Sequence, residues 1–283
     1  MTNVREALIH YTITDDLVLS ATAYGEPGEN IVLFAHGGGQ TRFSWGNTAR
    51  ALAEEGWYAI AYDHRGHGES SWVNDKDYAL PRFAEDLHAL VAQLPAKPVV
   101  VGASLGGMSA MLAEGENTEE LFRAVILVDI TPRMNDEGAK GIIGFMMERV
   151  EEGFGSLEEA ADVIAEFTQR PKRKNVDGLR KNLRLDDDGR YRWHWDPAFA
   201  QQRHGVEHLG LPERLEAAVQ NISAPMLLIR GARSNLVTEE LAQEFLRQVP
   251  HAEQVDVANA HHMVAGDRND IFSAAVIDFV QRV

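Results

Sequence analysis

The stretch PVVVGASLGGM, residues 98–108, decides the fold, because it joins a short apolar run to a turn of small residues and then to a helical segment. Within it, Gly102-Ala103-Ser104-Leu105-Gly106 has the form Gly-x-Ser-x-Gly. Small residues two before and two after the serine allow a tight, strained strand-to-helix turn that exposes the hydroxyl. The pattern predicts a strand before Ser104, a helix over Met108 to Glu114, and Ser104 as a nucleophile.

Short apolar runs rich in Val and Ile recur on both sides of the middle of the chain. Such runs suit strands buried on both faces of a parallel sheet. Helical spacing fills the intervals, as over Pro81 to Leu94 and Asp270 to Val283, and a hairpin of Glu6 to Thr14 and Leu17 to Tyr24 precedes them. This alternation predicts an α/β fold with a doubly wound, mostly parallel sheet. The runs are IVLFAH (31–36), YAIAYD (58–63), PVVVGAS (98–104), AVILVDI (124–130), PMLLIRG (225–231) and EQVDVAN (253–259).

Residues 131–222 interrupt the alternation, because they lack strand runs and carry helix-like pieces at Gly141 to Val150 and Ser156 to Thr168. The second piece opens with Ser156-Leu157-Glu158-Glu159, a capping box in sequence form. We expect a helical lid here, inserted into a core domain formed by residues 1–130 and 223–283. The basic cluster at 170–174 favours a solvated turn over a site for an anionic substrate.

Composition and charge narrow the range of partners. The 283 residues include no cysteine, which excludes disulfides, thiolate metal sites and cysteine nucleophiles. The 27 basic against 43 acidic residues give a net charge of −16, which disfavours nucleic acid. Neither a signal segment nor an apolar run of membrane-spanning length is present, so we expect a cytoplasmic protein without a membrane partner. A homodimer is left open.

A second turn, His36-Gly37-Gly38-Gly39, follows the first of the apolar runs. Attack on a carbonyl carbon needs two donors for the developing oxyanion, and backbone N–H groups supply them without loss of side-chain entropy. The N–H groups of Gly38 and Leu105 are the natural pair. Gln40 either reaches the substrate or fixes the loop.

Taken in order along the chain, these motifs resemble the α/β-hydrolase superfamily, in its serine branch of esterases, non-haem haloperoxidases and C–C bond hydrolases. The motifs are HGGG (36–39), DHRGHGES (63–70) and GASLGG (102–107), followed by a late histidine. In DHRGHGES, Asp63 and Arg65 are expected to brace the loop after the strand. The resemblance implies no metal or organic cofactor. Epoxide hydrolases and haloalkane dehalogenases carry aspartate in place of Ser104, so their chemistry is disfavoured.

The resemblance also implies a triad in the order serine, acid, histidine. His262 is the expected base, because Ala258 to Val264 resembles the loop Gly-x-Gly-His-Met of the family, with His261 as the alternative. The other histidines are expected to be structural or solvated.

The usual place of the acid, in the loop after PMLLIRG, is occupied by Asn235. Asp129 follows the preceding strand run, where some members of the fold place their acid, and it is our preferred candidate. Asn235 as an orienting amide and Glu239 or Glu240 are the alternatives.

The expected activity is hydrolysis of a carboxylic ester or lactone of a small, partly apolar molecule through an acyl-enzyme. Trp195, in the aromatic segment Trp193 to Phe199, either lines an acyl pocket or belongs to the lid's own core. Two alternatives stay open. One is cleavage of a C–C, thioester or amide bond, or perhydrolysis, on the same triad. The other, which Asn235 makes conceivable, is a ligand-binding protein without turnover.

Overall fold

An eight-stranded sheet of order β1-β2-β4-β3-β5-β6-β9-β10 forms the centre of the computed structural model, which describes residues 4–168, 175–202, 210–264 and 269–283. All neighbours pair in parallel except around β2, which is antiparallel to both β1 and β4. The predicted mostly parallel α/β sheet is therefore confirmed. The basic cluster at 170–174 lies outside the described residues. The strands of this sheet are β1 (Glu6–Thr14), β2 (Leu17–Tyr24), β3 (Ile31–Ala35), β4 (Tyr58–Tyr62), β5 (Val99–Ala103), β6 (Ala124–Val128), β9 (Met226–Gly231) and β10 (Ala252–Val257).

Helices cover both faces of the sheet because side chains alternate between the faces along each central strand. In β3, for example, Leu33 packs into one hydrophobic core and Phe34 into the other. Helices α1 and α9 lie on the second core, and α2, α3, α7 and α8 lie on the first. The helices are α1 (Gly46–Glu54), α2 (Leu80–Val91), α3 (Leu105–Gly115), α4 (Asp136–Met147), α5 (Leu157–Thr168), α6 (Pro197–Gln202), α7 (Leu211–Gln220), α8 (Glu239–Gln248) and α9 (Asn269–Val280), with 3₁₀ helices at Arg42–Trp45 and Asp177–Lys181.

The middle of the chain differs from its prediction because it contains strands. The short strands β7 (Leu183–Leu185) and β8 (Tyr191–Trp193) form an antiparallel hairpin of their own. Three residues are too few to show an alternating pattern, and the Asp-rich turn between them, closed by Gly189 N–H donating to Asp186 O at 2.9 Å, produces the pairing.

The helices of this region are close to their predicted positions. Helix α4 runs over Asp136–Met147 rather than Gly141 to Val150, because the side chain of Asn135 caps it by accepting from Gly138 N–H at 3.0 Å. The serine half of the predicted capping box at α5 is present, while the glutamate bonds the residue before the cap. Glu159 N–H donates to Ser156 Oγ at 3.1 Å, and the Glu159 carboxylate accepts from Gly155 N–H at 2.6 Å.

The segment between β8 and α6 is fixed to the loop after β4. His67 and Trp195 form an antiparallel bridge, and Gly68 N–H donates to His194 O at 2.6 Å. The buried carboxylate of Asp196 accepts from Lys76 Nζ and from the Tyr78 hydroxyl, both at 2.7 Å. This attachment places residues of the inserted region directly over the carboxyl ends of β3 and β4.

No helix in the described ranges is both long and apolar enough to cross a lipid bilayer.

Candidate active site

Ser104 occupies a sharp turn between β5 and α3. Its backbone lies at φ 45° and ψ −111°, a region that non-glycine residues rarely occupy. The turn requires glycine on each side. A β-carbon on Gly102 would lie 2.6 Å from Gly106 O, and one on Gly106 would lie 2.3 Å from Ala35 O. The spacing of the motif thus follows from the close approach of the turn to β3.

Asp129 lies beside this turn at the end of the neighbouring strand. Ala103 pairs with Val128 in the parallel register, so Ser104 and Asp129 each follow one member of the same pair. Asp129 also has a positive φ, 49°, and its side chain is fully buried. A buried carboxylate is stable only when donors surround it.

Three donors surround the Asp129 carboxylate. His262 Nδ1 lies 2.8 Å from Oδ2, Ser234 Oγ donates to the same oxygen at 2.5 Å, and Gly231 N–H donates to Oδ1 at 2.9 Å. Because a carboxylate only accepts, the proton of a neutral His262 lies on Nδ1, and Nε2 is left as the basic nitrogen. The imidazole is partly exposed, at 20%, which leaves it open towards a substrate.

The residues considered as alternatives to Asp129 and His262 lie away from the contact between these two side chains. Asn235 is exposed, and among the described residues it makes no hydrogen bond to His262. Its backbone carbonyl oxygen packs against Gly138. Glu239 pairs with Arg230 at 2.5 Å, and Glu240 and His261 are exposed. In the part of the chain that the structure describes, Ser104 Oγ and His262 are not hydrogen-bonded to each other.

Ser234 is a residue that the sequence interpretation missed. Its hydroxyl accepts from the backbone N–H groups of Leu236 at 3.1 Å and Val237 at 3.3 Å while it donates to Asp129. The sequence offered one signal for Ser234, namely its position directly before Asn235, in the loop where the family usually places its acid. If Asp129 after β6 is the acid, the loop after β9 is free to supply a donor to it, and Ser234 does donate to Asp129.

The glycine loop after β3 is fixed at two points. The side chain of Gln40 accepts from Gly37 N–H at 3.2 Å, and Gly39 N–H donates to His67 Nε2 at 3.1 Å. Gly38 lies between them, and Leu105 is the first residue of α3, where N–H groups have no acceptor within the helix. The Gln40 side chain thus bonds the loop itself, and its possible contact with a substrate stays a prediction.

A cluster of histidines supports this loop. His36 Nδ1 donates to Gly37 O at 2.7 Å and its Nε2 accepts from His64 N–H at 3.1 Å, while His67 Nδ1 donates to Arg65 O at 2.9 Å. Burial lowers the pKa of His36 from 6.5 to about 4, so its ring is neutral at neutral pH. These histidines are structural, as expected, and the sequence did not reveal that they position the glycine loop.

The DHRGHGES motif braces its loop as predicted, through two separate ion pairs. Asp63 is fully buried, pairs with the Arg42 guanidinium and accepts from Arg42 N–H at 2.6 Å. Arg65 binds both carboxylate oxygens of Asp86 at 2.6 Å. The carboxyl edge of β4 is thereby held in place beside the glycine loop.

Apolar residues from the segment between β6 and β9 cover the glycine loop. A β-carbon on Gly38 would lie 3.0 Å from Phe199 Cζ. On Gly39 it would lie 3.1 Å from Met146 Cε and 3.6 Å from Trp195 Nε1. The aromatic segment thus contacts the glycine loop, with Phe199 beside Gly38 and Trp195 beside Gly39.

The sequence was compared with known proteins. Residues 32–275 match the model of the alpha/beta hydrolase family. The chain is 30% identical over 274 residues to the esterase Rv0045c of Mycobacterium tuberculosis, covering 94% of this chain and 86% of that one. It is 25% identical over 250 residues to the 3-hydroxybutyrate-oligomer hydrolase of Cupriavidus necator, covering 84% and 85%.

Solved structures agree on the fold. The crystal structure of E-2-(acetamidomethylene)succinate hydrolase superposes with a TM-score of 0.81 at 24% identity, over 98% of this chain and 100% of that one. The chain therefore belongs to the alpha/beta hydrolase family, as a hydrolase of the esterase type.

Proposed function

We propose that the protein hydrolyses a carboxylic ester or lactone of a small, partly apolar molecule through a covalent acyl-enzyme. Ser104 is the nucleophile, His262 the general base and Asp129 the acid that orients it. The observation that carries the proposal is the hydrogen bond of 2.8 Å between His262 Nδ1 and the buried Asp129, next to the strained turn of Ser104. The esterase and oligomer hydrolase among the relatives support the ester as the bond cleaved.

In the first half of the reaction, Ser104 Oγ attacks the carbonyl carbon and its proton passes to His262 Nε2. The contact between Oγ and Nε2 is expected to form on substrate binding, since such hydrogen bonds are often long in free enzymes. The N–H groups of Gly38 and Leu105 hold the oxyanion. Asp129 stabilises the imidazolium, which then protonates the leaving alcohol.

In the second half, water attacks the acyl carbon and gives its proton to His262 Nε2. The tetrahedral intermediate collapses, the bond to Ser104 Oγ breaks, and the proton returns from the imidazolium to that oxygen. The products are a carboxylic acid and the free enzyme. These steps use residues of this chain and water alone.

We also propose a lid over this site, within residues 131–222, that contributes Met146, Trp195 and Phe199. Helix α7 is better assigned to the core domain, because Leu215, Ala218 and Val219 are buried in the main hydrophobic core and the helix packs on α3. The apolar lid residues favour a small, partly apolar acyl group.

Labelling with a fluorophosphonate tests the proposal. The reagent should modify Ser104 with loss of fluoride, and the label should be absent from Ser104→Ala. Ser44→Ala is the matched control, because Ser44 is exposed in the 3₁₀ helix after the glycine loop. An unlabelled native protein would instead indicate a ligand-binding protein.

A panel of p-nitrophenyl esters, lactones and β-diketones then defines the bond cleaved. We expect turnover of esters and lactones, abolished in Ser104→Ala. Turnover of the diketones alone would assign C–C bond hydrolysis to the same triad and contradict ester hydrolysis.

A further inference from the structure

Arg230 lies near the end of β9, one residue before Gly231, whose N–H donates to the Asp129 carboxylate. The side chain of Arg230 is only 7% exposed. A guanidinium keeps its charge in proteins, so at this depth it is stable only when acceptors surround it. The positions of those acceptors show which parts of the chain this side chain joins.

The Arg230 guanidinium joins β10 to the beginning of α8. Nε and Nη2 donate to the two carboxylate oxygens of Asp256, at 2.9 and 2.8 Å, and Asp256 is the partner of Arg230 in the parallel register. Nη2 also donates to Glu239, the first residue of α8, at 2.5 Å. Nη1 lies 3.5 Å from the carbonyl oxygen of Val237, in the loop before that helix. Binding to both oxygens of one carboxylate fixes the plane of the guanidinium.

The segments that Arg230 joins carry donors to Asp129. Ser234 lies in the loop between β9 and α8, and its hydroxyl accepts from Val237 N–H at 3.3 Å while it donates to Asp129. His262 lies in the loop after β10. One buried side chain therefore fixes the far end of the Ser234 loop and the strand from which the His262 loop departs.

Backbone hydrogen bonds connect the same two loops to each other. Ala232 N–H donates to Val257 O at 3.0 Å, and Arg233 N–H donates to Ala260 O at 2.9 Å. Ala260 lies two residues before His262. A shift of the loop after β9 would therefore move the loop that carries this histidine as well.

The charge of Arg230 also acts at this end of the sheet. The hydrogen bond with Asp256 raises the pKa of Arg230, and the negative charge of Asp129 acts in the same direction. The guanidinium therefore stays charged and attracts the Asp129 carboxylate as well as its own ion-pair partners.

Arg282 provides a comparison, because it also binds a carboxylate of β10 through two nitrogens. Its Nη1 and Nη2 donate to the two oxygens of Glu253, both at 2.8 Å. Both side chains are about half exposed, and Glu253 lies near the start of β10, at the opposite end from the His262 loop. Such an exposed pair contributes little, since water competes for both partners.

We infer that Arg230 is a positioning residue of the proposed triad. By holding the loop after β9 and the end of β10 together, it keeps Ser234 and His262 in contact with the same carboxylate oxygen of Asp129. The inference rests on the proposed ester hydrolysis at Ser104 and adds the side chain that assembles its acid and base. Arg230 acts through these two loops, and the triad performs the chemistry.

Arg230→Met removes the charge and the donors while keeping a long side chain. In the folded variant, kcat for p-nitrophenyl butanoate should fall by about 10- to 100-fold, because small displacements of catalytic groups have large effects on rate. KM should stay within about twofold, since the change disturbs the triad rather than a contact with the substrate. Arg282→Met is the matched control and should keep kcat within about twofold. Circular dichroism checks that both variants are folded.

A double-variant cycle separates positioning from a role in stability alone. If Arg230 acts through the Ser234 loop, Arg230→Met combined with Ser234→Ala should lower kcat by clearly less than the product of the two single effects. Two residues that act independently would give the product. Because kcat is measured on folded protein, a lower stability of the variants does not alter this comparison.

Arg230→Lys is a second variant, which keeps the inference testable if the methionine prevents folding. Its ammonium group keeps the charge but cannot bind both oxygens of Asp256 and also Glu239 in one plane. We expect a folded protein whose kcat is lower by about threefold to tenfold, with KM unchanged.

Two results would overturn the inference while leaving ester hydrolysis intact. One is an undiminished kcat in folded Arg230→Met, or in Arg230→Lys if only that variant folds. The other is a pair of single effects that multiply in the double variant, which indicates that Arg230 acts independently of the Ser234 loop. If the native enzyme hydrolyses no ester and resists the fluorophosphonate, the proposed function fails, and this inference fails with it.

Discussion

The carboxylate of Asp129 is reached by donors from two loops that are far apart in sequence. His262 comes from the loop after β10, and Gly231 and Ser234 come from the loop after β9. In this chain the carboxylate directly follows β6, while the loop after β9 contributes hydrogen-bond donors. The two loops together therefore hold the acid that we assign to the triad.

Asp129→Asn should lower kcat for ester hydrolysis by roughly 10³ to 10⁴-fold. An amide in this place no longer stabilises the imidazolium and favours the wrong tautomer of His262. Steady-state kinetics on p-nitrophenyl butanoate measure the change, and circular dichroism checks that the variant is folded. Undiminished kcat in a folded variant would show that another residue is the acid.

Ser234→Ala should lower kcat about tenfold, because the carboxylate loses a donor and gains freedom to turn. Asn235→Ala, one residue further along and exposed, is the control and should leave kcat unchanged. An undiminished kcat in Ser234→Ala would reduce Ser234 to a loop-forming residue.

At the scale of elements, the glycines of helix α4 differ in how much space a side chain would have. A β-carbon on Gly138 would lie 2.3 Å from Asn235 O, whereas one on Gly141 or Gly144 would have no heavy atom within 4 Å. The N-terminal end of the helix is thus packed against the loop that holds Ser234. The middle is exposed and carries two residues of low helix propensity.

The double variant Gly141→Ala and Gly144→Ala should stabilise the protein by about 1 to 2 kcal/mol, because alanine is favoured by roughly 0.5 to 1 kcal/mol at each helical position. Scanning calorimetry should show a Tm higher by a few degrees. Gly138→Ala is the matched control in the same helix and should lower Tm. A Tm that falls in the double variant would contradict this account of α4.

The central sheet and the elbow were predictable because their signals are local. Strands buried on both faces have continuous apolar runs, and the Ser104 turn requires small residues at fixed spacing. The β7–β8 hairpin was not predicted because its strands have only three residues each. The predicted bounds of α4 were too late in the chain because its cap, Asn135, lies outside the apolar pattern.

The candidate site was predictable only as far as its motifs extend. Asp129 was a candidate from the sequence because it comes at the end of an apolar strand run. Ser234 and His67 act through contacts that form only when separate loops meet, and the contact of Trp195 with the glycine loop depends on how residues 193–199 pack over it. Residue spacing along the sequence does not predict such contacts between separate loops.

At the scale of the whole molecule, the buried His36 makes stability depend on pH. The pKa of this histidine is lowered by burial from 6.5 to about 4, so between these values the unfolded chain binds a proton that the folded protein does not. The stabilising contribution is complete above pH 6.5 and is lost progressively as the pH falls towards 4. Its size is roughly 3 kcal/mol, at about 1.4 kcal/mol for each pKa unit.

His36→Gln isolates this contribution. Glutamine does not titrate, and its carbonyl can replace Nε2 as the acceptor for His64 N–H. The variant should be less stable than the native protein at pH 7, because it loses the Nδ1 hydrogen bond to Gly37 O. Between pH 7 and pH 4, however, it should lose roughly 3 kcal/mol less stability than the native protein.

Urea unfolding of both proteins at half-unit steps of pH measures the difference. Because the other titrating groups are common to both chains, the difference curve should rise with pH between about 4 and 6.5 and be flat above. Parallel stability curves would mean that His36 is protonated equally in the folded and unfolded states.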